Sequence, residues 1–151
     1  MRYNGVMNID DFNLNQSFGF LINALSLNIK HQLDLRLKAH HLTVHQFGIL
    51  LNIYKRGPLT QKEIAQQTSG DEPTTARLMK RLEEKGCIER VVDADDKRKR
   101  LVSLSQEGVA LLQEILPHAQ AVNKKVTEVL SEKEKETLLM LLNKTLVASK
   151  K

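Results

Sequence analysis

The stretch LTQKEIAQQTSGDEPTTARLMKRLEEKGCIERVVDADDKRKRLVSLS, residues 59–105, decides how this chain folds. Its first part carries Thr60 and, three residues later, Glu63, the capping-box pattern that satisfies free backbone amides where a helix begins. A break at Ser69-Gly70 separates this segment from another helical one. Helices joined by a tight, glycine-containing turn predict a helix-turn-helix motif.

The second helix of this motif is predicted over residues 71–86. Asp71 can cap its amino end, and Pro73 lies in the first turn, where a missing amide proton does no harm. Gly86 supplies the carboxyl-terminal stop. The residues spaced to face inward are Leu78, Met79 and Leu82.

Two short strand-forming segments, CIERVVD and RLVSLS, bracket a charged loop and predict a β-hairpin, with a wing over residues 91–104. The loop holds three acids followed by four bases, Asp93, Asp95, Asp96, Lys97, Arg98, Lys99 and Arg100. A helix-turn-helix followed by a hairpin is a winged helix. We therefore predict a mainly α fold with one small β-hairpin, in which a winged helix-turn-helix domain at residues 42–104 is flanked by long helices.

Long amphipathic helices are predicted on both sides of this motif. They cover residues 13–40, 43–56, 105–130 and 131–148. The predicted caps are Thr43 and Ser131, and the predicted kink is at Pro117. Positions predicted to face inward include Phe47, Leu50, Tyr54, Leu112, Ile115 and Leu116. The apolar stripe of the helix over 13–40 includes Leu14, Leu33 and Leu37.

The chain is basic, and much of its excess positive charge is concentrated in one segment. The formal net charge is +5 over 151 residues. Between Arg77 and Arg100, nine basic and six acidic side chains leave an excess of three positive charges in 24 residues. Clustered bases of this kind indicate a polyanionic partner, although a solvated charged surface has the same composition. Beside a helix-turn-helix, the expected polyanion is double-stranded DNA.

The winged domain is too small to cover the apolar faces of the helices over 13–40, 105–130 and 131–148. Left bare, these faces would expose far more than the few hundred Å² that a monomer usually shows. We expect a second copy of the chain to cover them in a twofold homodimer. The sequence therefore predicts a helical dimerisation region over residues 1–41 and 105–151, and a DNA-binding domain over residues 42–104.

Other classes of protein fit the sequence poorly. No apolar run approaches the ~18–20 residues that span a bilayer, and the amino-terminal segment lacks a signal-peptide pattern. The single cysteine, Cys87, fits a reducing cytoplasm and lies among residues that favour a packed thiol. No nucleophile, base and orienting group form a recognisable motif, so we expect no enzyme, no cofactor and no membrane partner.

The order of the motifs resembles that of the MarR family of bacterial transcriptional regulators. LTVHQFGIL resembles the helix that follows the family's dimerisation helix, and LTQKEIAQQ resembles its first helix-turn-helix helix. TTARLMKRLEEKGCIER is similar to the recognition helix that runs into the wing. DADDKRKRLVSLSQEG is similar to the wing signature, an Asp-x-x-Asp-Arg/Lys-Arg run ending in Leu-Thr/Ser-x-x-Gly.

A helix-turn-helix of this type places the amino end of its recognition helix at base edges in the major groove. The residues expected there are Pro73, Thr74, Thr75 and Arg77, with Lys80 and Arg81 nearer the phosphates. Thr60 and Gln61 are expected at a phosphate beside the first helix. As alternatives, the two threonines of the recognition helix are ordinary surface residues, and Arg81 pairs with Glu83 or Glu84.

The resemblance gives the charged loop a role. It implies that Asp96 braces Arg98, so that this arginine enters the minor groove, where a narrow A·T-rich groove attracts it. Lys97, Lys99 and Arg100 would then contact phosphates. The alternative is a solvated turn, whose exposed ion pairs contribute roughly 0–1 kcal/mol each.

The resemblance also implies how the protein would be regulated. Relatives bind small anionic, often phenolic, effectors between the dimerisation helices and the winged domain, and binding releases a pseudo-palindromic operator. The alternatives are a repressor without an effector and a zinc-responsive regulator. The histidines considered as zinc ligands are His31, His40, His41 and His45. The family's later His-x-x-x-His pair is absent, since only His118 stands there.

Overall fold

The computed structural model describes residues 8–68 and 70–150. Ser69, part of the predicted turn, and residues 1–7 and 151, parts of the predicted dimerisation region, lie outside the described residues. The α-helices are α1 (Phe18–Leu37), α2 (Val44–Arg56), α3 (Gln61–Gln67), α4 (Glu72–Glu84), α5 (Gln106–Val126) and α6 (Glu132–Ser149). The strands are β1 (Ile88–Val92) and β2 (Arg100–Leu104), and short 3-10 helices lie at Ile9–Asp11, Leu14–Gln16 and Lys38–His40.

The predicted fold class is confirmed. Helices α3 and α4 form a helix-turn-helix, and one antiparallel hairpin follows, in which Ile88 pairs with Leu104. The backbones of Leu59 and Val102 exchange hydrogen bonds with N···O distances of 3.1 and 2.7 Å. These bonds hold the start of α3 against β2, so that the helix-turn-helix and the hairpin form one unit.

The polar caps predicted from the sequence are present. The hydroxyl or carboxylate of each cap residue accepts a backbone amide three residues on, at Thr43, Thr60, Asp71 and Ser131. Gly86 follows α4 with a φ of 72°, in the left-handed region that glycine adopts without strain. The local sequence signals therefore set both ends of the recognition helix.

One apolar core joins the winged domain to the long helices. Its most deeply buried members are Leu37, Ile49, Leu50, Ile64, Met79, Leu82, Val102, Ile115 and Val122. They come from α1, from each element of the winged domain except β1, and from α5. The carboxyl end of α1 and the body of α5 therefore pack directly on the winged domain.

The first turn of α5 lies against the root of the hairpin. The Ser105 hydroxyl accepts the Gly108 amide at 3.0 Å, and the Ser105 amide donates to the Cys87 carbonyl at 3.1 Å. A Cβ atom at Gly108 would lie 2.0 Å from that carbonyl oxygen. Glycine is required here, because any side chain would overlap the backbone.

The first helix is shorter than predicted. The expected helix over 13–40 begins only after Ser17, and Leu14 lies in a 3-10 helix with its side chain 48% exposed. The Asn13 carboxamide accepts a backbone amide two residues on at 3.0 Å, and the Ser17 hydroxyl accepts one three residues on at 3.4 Å. Such local bonds compete with a continuous helix, so the predicted helical start at residue 13 is wrong and α1 begins at Phe18.

Two predicted core positions are wrong. Tyr54 is 53% exposed and Leu116 is 38% exposed. The residues before them, Ile53 and Ile115, are buried instead. Each residue of an α-helix is rotated by about 100° from the previous one, so a residue next to the centre of the buried face can point to solvent.

The helix after the hairpin ends earlier than predicted. It stops at Val126, and a turn over 127–130 leads to Ser131, the cap of α6. Pro117 lies within α5, and the helix continues on both sides of it.

Much of the apolar surface of α1 and α6 is exposed in the single chain, and α6 buries none of its residues. The exposed apolar residues of these helices include Phe18, Phe20, Leu21, Ile22, Leu25, Leu27, Leu138, Leu139, Met140, Leu141, Leu146 and Val147. Within the described ranges, no helix is both long enough and apolar enough to cross a membrane.

Candidate nucleic-acid interface

The recognition helix α4 has a buried face and an exposed face. Thr75, Met79 and Leu82 are buried against the core. Spaced by three or four residues on the opposite side, the exposed side chains are Pro73, Arg77, Lys80 and Glu84. A guanidinium and an ammonium group therefore project from the face of α4 that the fold leaves free.

Asp71 fixes the amino end of this helix. Its Oδ1 accepts the backbone amide of Thr74 at 2.7 Å. Hydrogen bonds from Thr74, the backbone amide above all, hold the pKa of Asp71 below its ordinary value. The carboxylate is therefore charged at neutral pH and caps the helix in its stronger, ionised form.

The prediction that Thr75 is exposed is wrong. Its side chain is only 1% exposed, and a Cβ atom built on Gly70 would lie 3.1 Å from the Thr75 Oγ1. Thr75 lies one turn before Met79 on the buried face. It packs the turn between α3 and α4 and presents nothing to a ligand, whereas Thr74 is half-buried beside it.

The tip of the hairpin is an ordered turn closed by its own backbone. The Asp93 amide donates to the Lys99 carbonyl at 3.1 Å, and the Lys99 amide donates to the Asp96 carbonyl at 2.9 Å. The Asp93 carboxylate accepts the amides of Asp96 and Asp95 at 3.0 and 2.8 Å. These backbone bonds hold the pKa of Asp93 below its ordinary value.

Asp96 does not brace the side chain of Arg98 as the resemblance implied. Its Oδ1 accepts the backbone amide of Arg98 at 3.0 Å, and no ion pair of Arg98 occurs among the described residues. The short aspartate side chain accepts a backbone amide two residues on more readily than it reaches the guanidinium at the end of the arginine side chain. The acids therefore order the backbone, while four exposed bases, Lys97, Arg98, Lys99 and Arg100, project from it.

The amino end of α3 is close to the wing, but its cap is already occupied. The Glu63 carboxylate accepts the Thr60 amide and the Thr60 hydroxyl, both at 2.7 Å. These bonds, and to a smaller extent the charge of Lys99, lower the pKa of Glu63. A carboxylate therefore lies beside Thr60 and half-buried Gln61, where a phosphate was expected.

An ion pair that sequence reasoning missed connects the recognition helix to the first strand of the hairpin. The Nε of Arg90 on β1 lies 3.3 Å from the Oε1 of Glu83 on α4. Arg81 forms no ion pair with Glu83 or Glu84 in the described part of the chain. The helix spacing suggested a partner within α4, whereas the turn at Gly86 brings a base of the next strand into reach.

The four histidines considered as zinc ligands are not gathered in one place. His31 and His41 line one cleft, and His45 lines a separate groove. His40 instead contacts His118 of α5, with their Nε2 atoms 3.3 Å apart. The Nδ1 of His40 lies 3.4 Å from the Oε1 of Glu114. No sequence periodicity could have found this contact, because 78 residues separate the two rings.

Two open cavities lie beside α1. The α1–α4 cleft, of about 650 Å³, lies between the carboxyl half of α1, the start of α2 and the last turn of α4; its charged lining residues are Asp34, Lys38, Arg81, Glu84 and Lys85. The α1–α2 groove, of about 690 Å³, is more apolar and includes Leu142 of α6. Both cavities adjoin the helix that was expected to form an effector site.

Cys87 is buried, as predicted, with 4% of its surface exposed. Burial raises the pKa of its thiol. A protonated, buried thiol reacts slowly with oxidants, so Cys87 serves as a small apolar residue at the entry to β1.

The MarR family model matches residues 42–99 of the chain. An HTH-type transcriptional regulator of Bacillus cereus is 35% identical over 109 residues, which cover 72% of each protein. The HTH-type transcriptional repressor NicR of Pseudomonas putida is 31% identical over 103 residues, covering 68% of this chain and 65% of NicR. Sequence similarity therefore extends beyond the winged domain.

A solved structure with the same architecture is that of a mutant MarR from E. coli in complex with operator DNA. The two proteins are 30% identical, with a TM-score of 0.78. The match covers 91% of this chain and 99% of that one. It therefore includes the long helices as well as the helix-turn-helix and hairpin.

Proposed function

Because this chain belongs to the MarR family, whose members are transcriptional regulators, we propose that it binds operator DNA as a homodimer and represses transcription. The observation that carries the proposal is the pair of exposed basic surfaces, one on α4 and one on the hairpin tip, in a unit joined by the Leu59–Val102 backbone bonds. NicR, a relative that is 31% identical, is a transcriptional repressor, which supports repression as the proposed function. We propose no catalytic activity, and a place in the bacterial cytoplasm.

The recognition helix would read the major groove through its exposed face. Arg77 projects from the amino half of this face, where a guanidinium can donate two hydrogen bonds to a guanine. Pro73 and Thr74 would lie against base edges, and Lys80 and Arg81 would contact phosphates. Thr75 is not part of this proposal, because its side chain is buried.

The wing would read the minor groove. Arg98 projects from a turn whose backbone is held by Asp96, and its guanidinium has no partner among the described acids. An ordered backbone lowers the entropy lost when the tip inserts. Lys97 and Arg100 would contact phosphates on either side, whereas Lys99 lies near the charge of Glu63, which partly offsets it.

The apolar faces of α1 and α6 would form the dimer. Twelve or so large apolar side chains on these helices are exposed, more than a stable monomer usually leaves in water. We propose that residues 1–41 and 105–151 form the dimerisation region and residues 42–104 the DNA-binding domain. A twofold dimer would then bind a pseudo-palindromic site with half-sites one helical turn apart.

We propose the α1–α4 cleft as the site of a small anionic, for example phenolic, effector. Its lining residues include three bases, Lys38, Arg81 and Lys85, against two acids, Asp34 and Glu84, which leaves an excess of one positive charge. Arg81 belongs to the recognition helix and Lys85 is its carboxyl-terminal cap, so a compound bound there would act on the DNA-reading element directly. An effector must favour the DNA-incompetent arrangement by a few kcal/mol to release an operator.

A zinc-responsive regulator is a second candidate, favoured by one observation. Two nitrogens that bind tetrahedral zinc with bonds of about 2.0–2.1 Å are separated by about 3.3 Å, and the Nε2 atoms of His40 and His118 lie 3.3 Å apart. Glu114, beside the other ring nitrogen of His40, occupies the place of an orienting carboxylate. Within the described residues no group of three or more ligating side chains forms, so further ligands would come from water or a second copy.

In vitro selection of duplex DNA tests the main proposal, repeated with phenolic acids and with zinc. We expect a pseudo-palindromic motif that is lost when an effector is added. Failure to enrich any duplex would contradict DNA binding, and an enriched but asymmetric motif would contradict the homodimer. Unchanged enrichment with both kinds of additive would favour a repressor without an effector.

A further inference from the structure

The corner between α1 and α2 is closed by an unusual residue. After the 3-10 helix at Lys38–His40, His41 adopts a φ of 53°, the only positive φ of a non-glycine residue in the described part of the chain. The His41 amide donates to the Lys38 carbonyl at 3.0 Å, and the Leu42 amide donates to the Leu37 carbonyl at 3.3 Å. This is a tight helix-ending motif, normally made with glycine, and it turns the His41 carbonyl outward.

The recognition helix is tied to this corner. Lys85, the residue that ends α4, donates a hydrogen bond from its Nζ to the His41 carbonyl oxygen, across 44 residues of sequence. Both residues are exposed. The open α1–α4 cleft separates the rest of the last turn of α4 from α1, so this bond spans a gap that apolar packing does not fill.

The corner itself is firmly attached to both long helices that leave it. The Asp34 carboxylate on α1 accepts the Val44 amide at the start of α2 at 2.9 Å. Leu37 and Leu42 on either side of the corner are buried. A contact with the His41 carbonyl is therefore a contact with α1, and residue 41 is the boundary between the two regions proposed above.

We propose that Lys85 is a positioning residue, which fixes α4 relative to α1 and thereby sets the distance between the two recognition helices of the dimer. This inference rests on the proposed homodimer. Because the bond is single and exposed, its loss changes the distribution of α4 positions more than the free energy of unfolding. Loss of the Lys85–His41 hydrogen bond should therefore be detected as a weaker dependence of DNA affinity on the spacing of the half-sites.

The experiment uses Lys85→Met, which removes the ammonium group and keeps the apolar stem. The matched control is Lys80→Met, which removes the same charge from the same helix but has no bond to the corner. Each protein is titrated against duplexes carrying the selected half-sites at the preferred spacing and at spacings one base pair shorter and longer. Lys85→Arg restores a donor that can reach the carbonyl.

We expect Lys85→Met to lose discrimination between the preferred and altered spacings by roughly threefold or more, the size expected for one hydrogen bond. Lys80→Met should weaken binding by a similar factor at every spacing. Lys85→Arg should restore the wild-type profile. The melting temperatures of all three variants should match that of the parent.

A second measurement needs no DNA. A nitroxide on Arg77→Cys reports the distance between the two recognition helices in the free dimer, and the buried native Cys87, whose thiol pKa is raised, competes poorly for the label. The distance distribution should broaden with Lys85→Met and stay unchanged with Lys80→Met.

The outcomes separate the two proposals. A parent that discriminates spacings and a Lys85→Met variant with the same profile and label distribution would overturn the inference alone. A parent that binds all spacings equally, or a Lys85→Met variant that does not fold, would overturn it as well. A parent that binds no duplex or is monomeric would refute the proposed function instead.

Discussion

The carboxylate of Asp96 accepts the backbone amide of Arg98 at 3.0 Å, and the arginine side chain forms no ion pair with the acids of residues 8–68 and 70–150. The wing thus separates two tasks that the sequence places side by side. Acids hold the turn through amides, and bases stay available to a partner. Mutations can therefore separate the contribution of the basic charges to DNA binding from the contribution of the turn's geometry.

Arg98→Ala should weaken operator binding by roughly tenfold or more, because the minor-groove contact is lost. The hairpin and the dimer should remain, since the turn is held by backbone bonds. Titration by fluorescence anisotropy at moderate salt measures the effect, with Arg56→Ala on α2 as a charge-matched control. Equal affinities of the Arg98 variant and the parent would remove the wing from the mechanism.

Asp96→Asn and Asp96→Ala should differ. Asparagine keeps an oxygen that accepts the Arg98 amide, whereas alanine removes the acceptor. We expect the asparagine variant to bind DNA about as well as the parent, and the alanine variant to bind severalfold more weakly. If both variants lose affinity equally, the charge of Asp96 matters more than its hydrogen bond.

Arg77→Ala should cost about 1–3 kcal/mol of operator binding and relax the preference at one base of each half-site. Selection from a random duplex library with the variant and the parent compares the two motifs directly. The Lys80 variant provides the contrast, because loss of a phosphate contact lowers affinity without altering sequence preference. An unaltered motif for the Arg77 variant would place the base contact elsewhere.

Thr75→Ala should lower the stability of the fold and should not alter DNA sequence recognition directly. The buried side chain packs the turn against Gly70, so its truncation should lower the free energy of unfolding by roughly 1–2 kcal/mol. Thr74→Ala, at a half-buried position, is the comparison and should cost less. Urea unfolding followed by circular dichroism measures both. A parent-like unfolding midpoint for Thr75→Ala would contradict its burial.

Asp71 should make the stability of α4 dependent on acid pH. Its folded pKa lies below the ordinary value, so its contribution is present above the unfolded pKa and lost as pH falls through the folded pKa. Asp71→Asn should therefore be less stable than the parent at pH 7, and the difference should shrink below about pH 4. Unfolding curves at both pH values test this. A difference that grows on acidification would contradict the assigned direction of the shift.

Local signals in the sequence were sufficient for most of the fold. The caps at Thr60, Asp71 and Ser131 and the stop at Gly86 act within one helical turn, so they are readable without tertiary information. The same short range explains the error at the first helix, where Ser17 is a cap that a periodic apolar pattern conceals.

The candidate site was less readable for the same physical reason. Whether Thr75 faces the core depends on the direction from which α3 packs, which the spacing within α4 does not determine. The bonds of Lys85 to His41 and of His40 to His118 join residues 44 and 78 positions apart. Side chains that meet only in the folded chain leave no trace in a single sequence.

The close approach of Gly108 to the Cys87 carbonyl has a mechanical consequence. The backbone at the base of the hairpin contacts the first turn of α5 directly, so a displacement of the hairpin would be transmitted to that turn. When a nucleic-acid groove displaces the hairpin, α5 would move with it. If α5 belongs to the contact between two copies, DNA binding by one copy would affect DNA binding by the other through this helix.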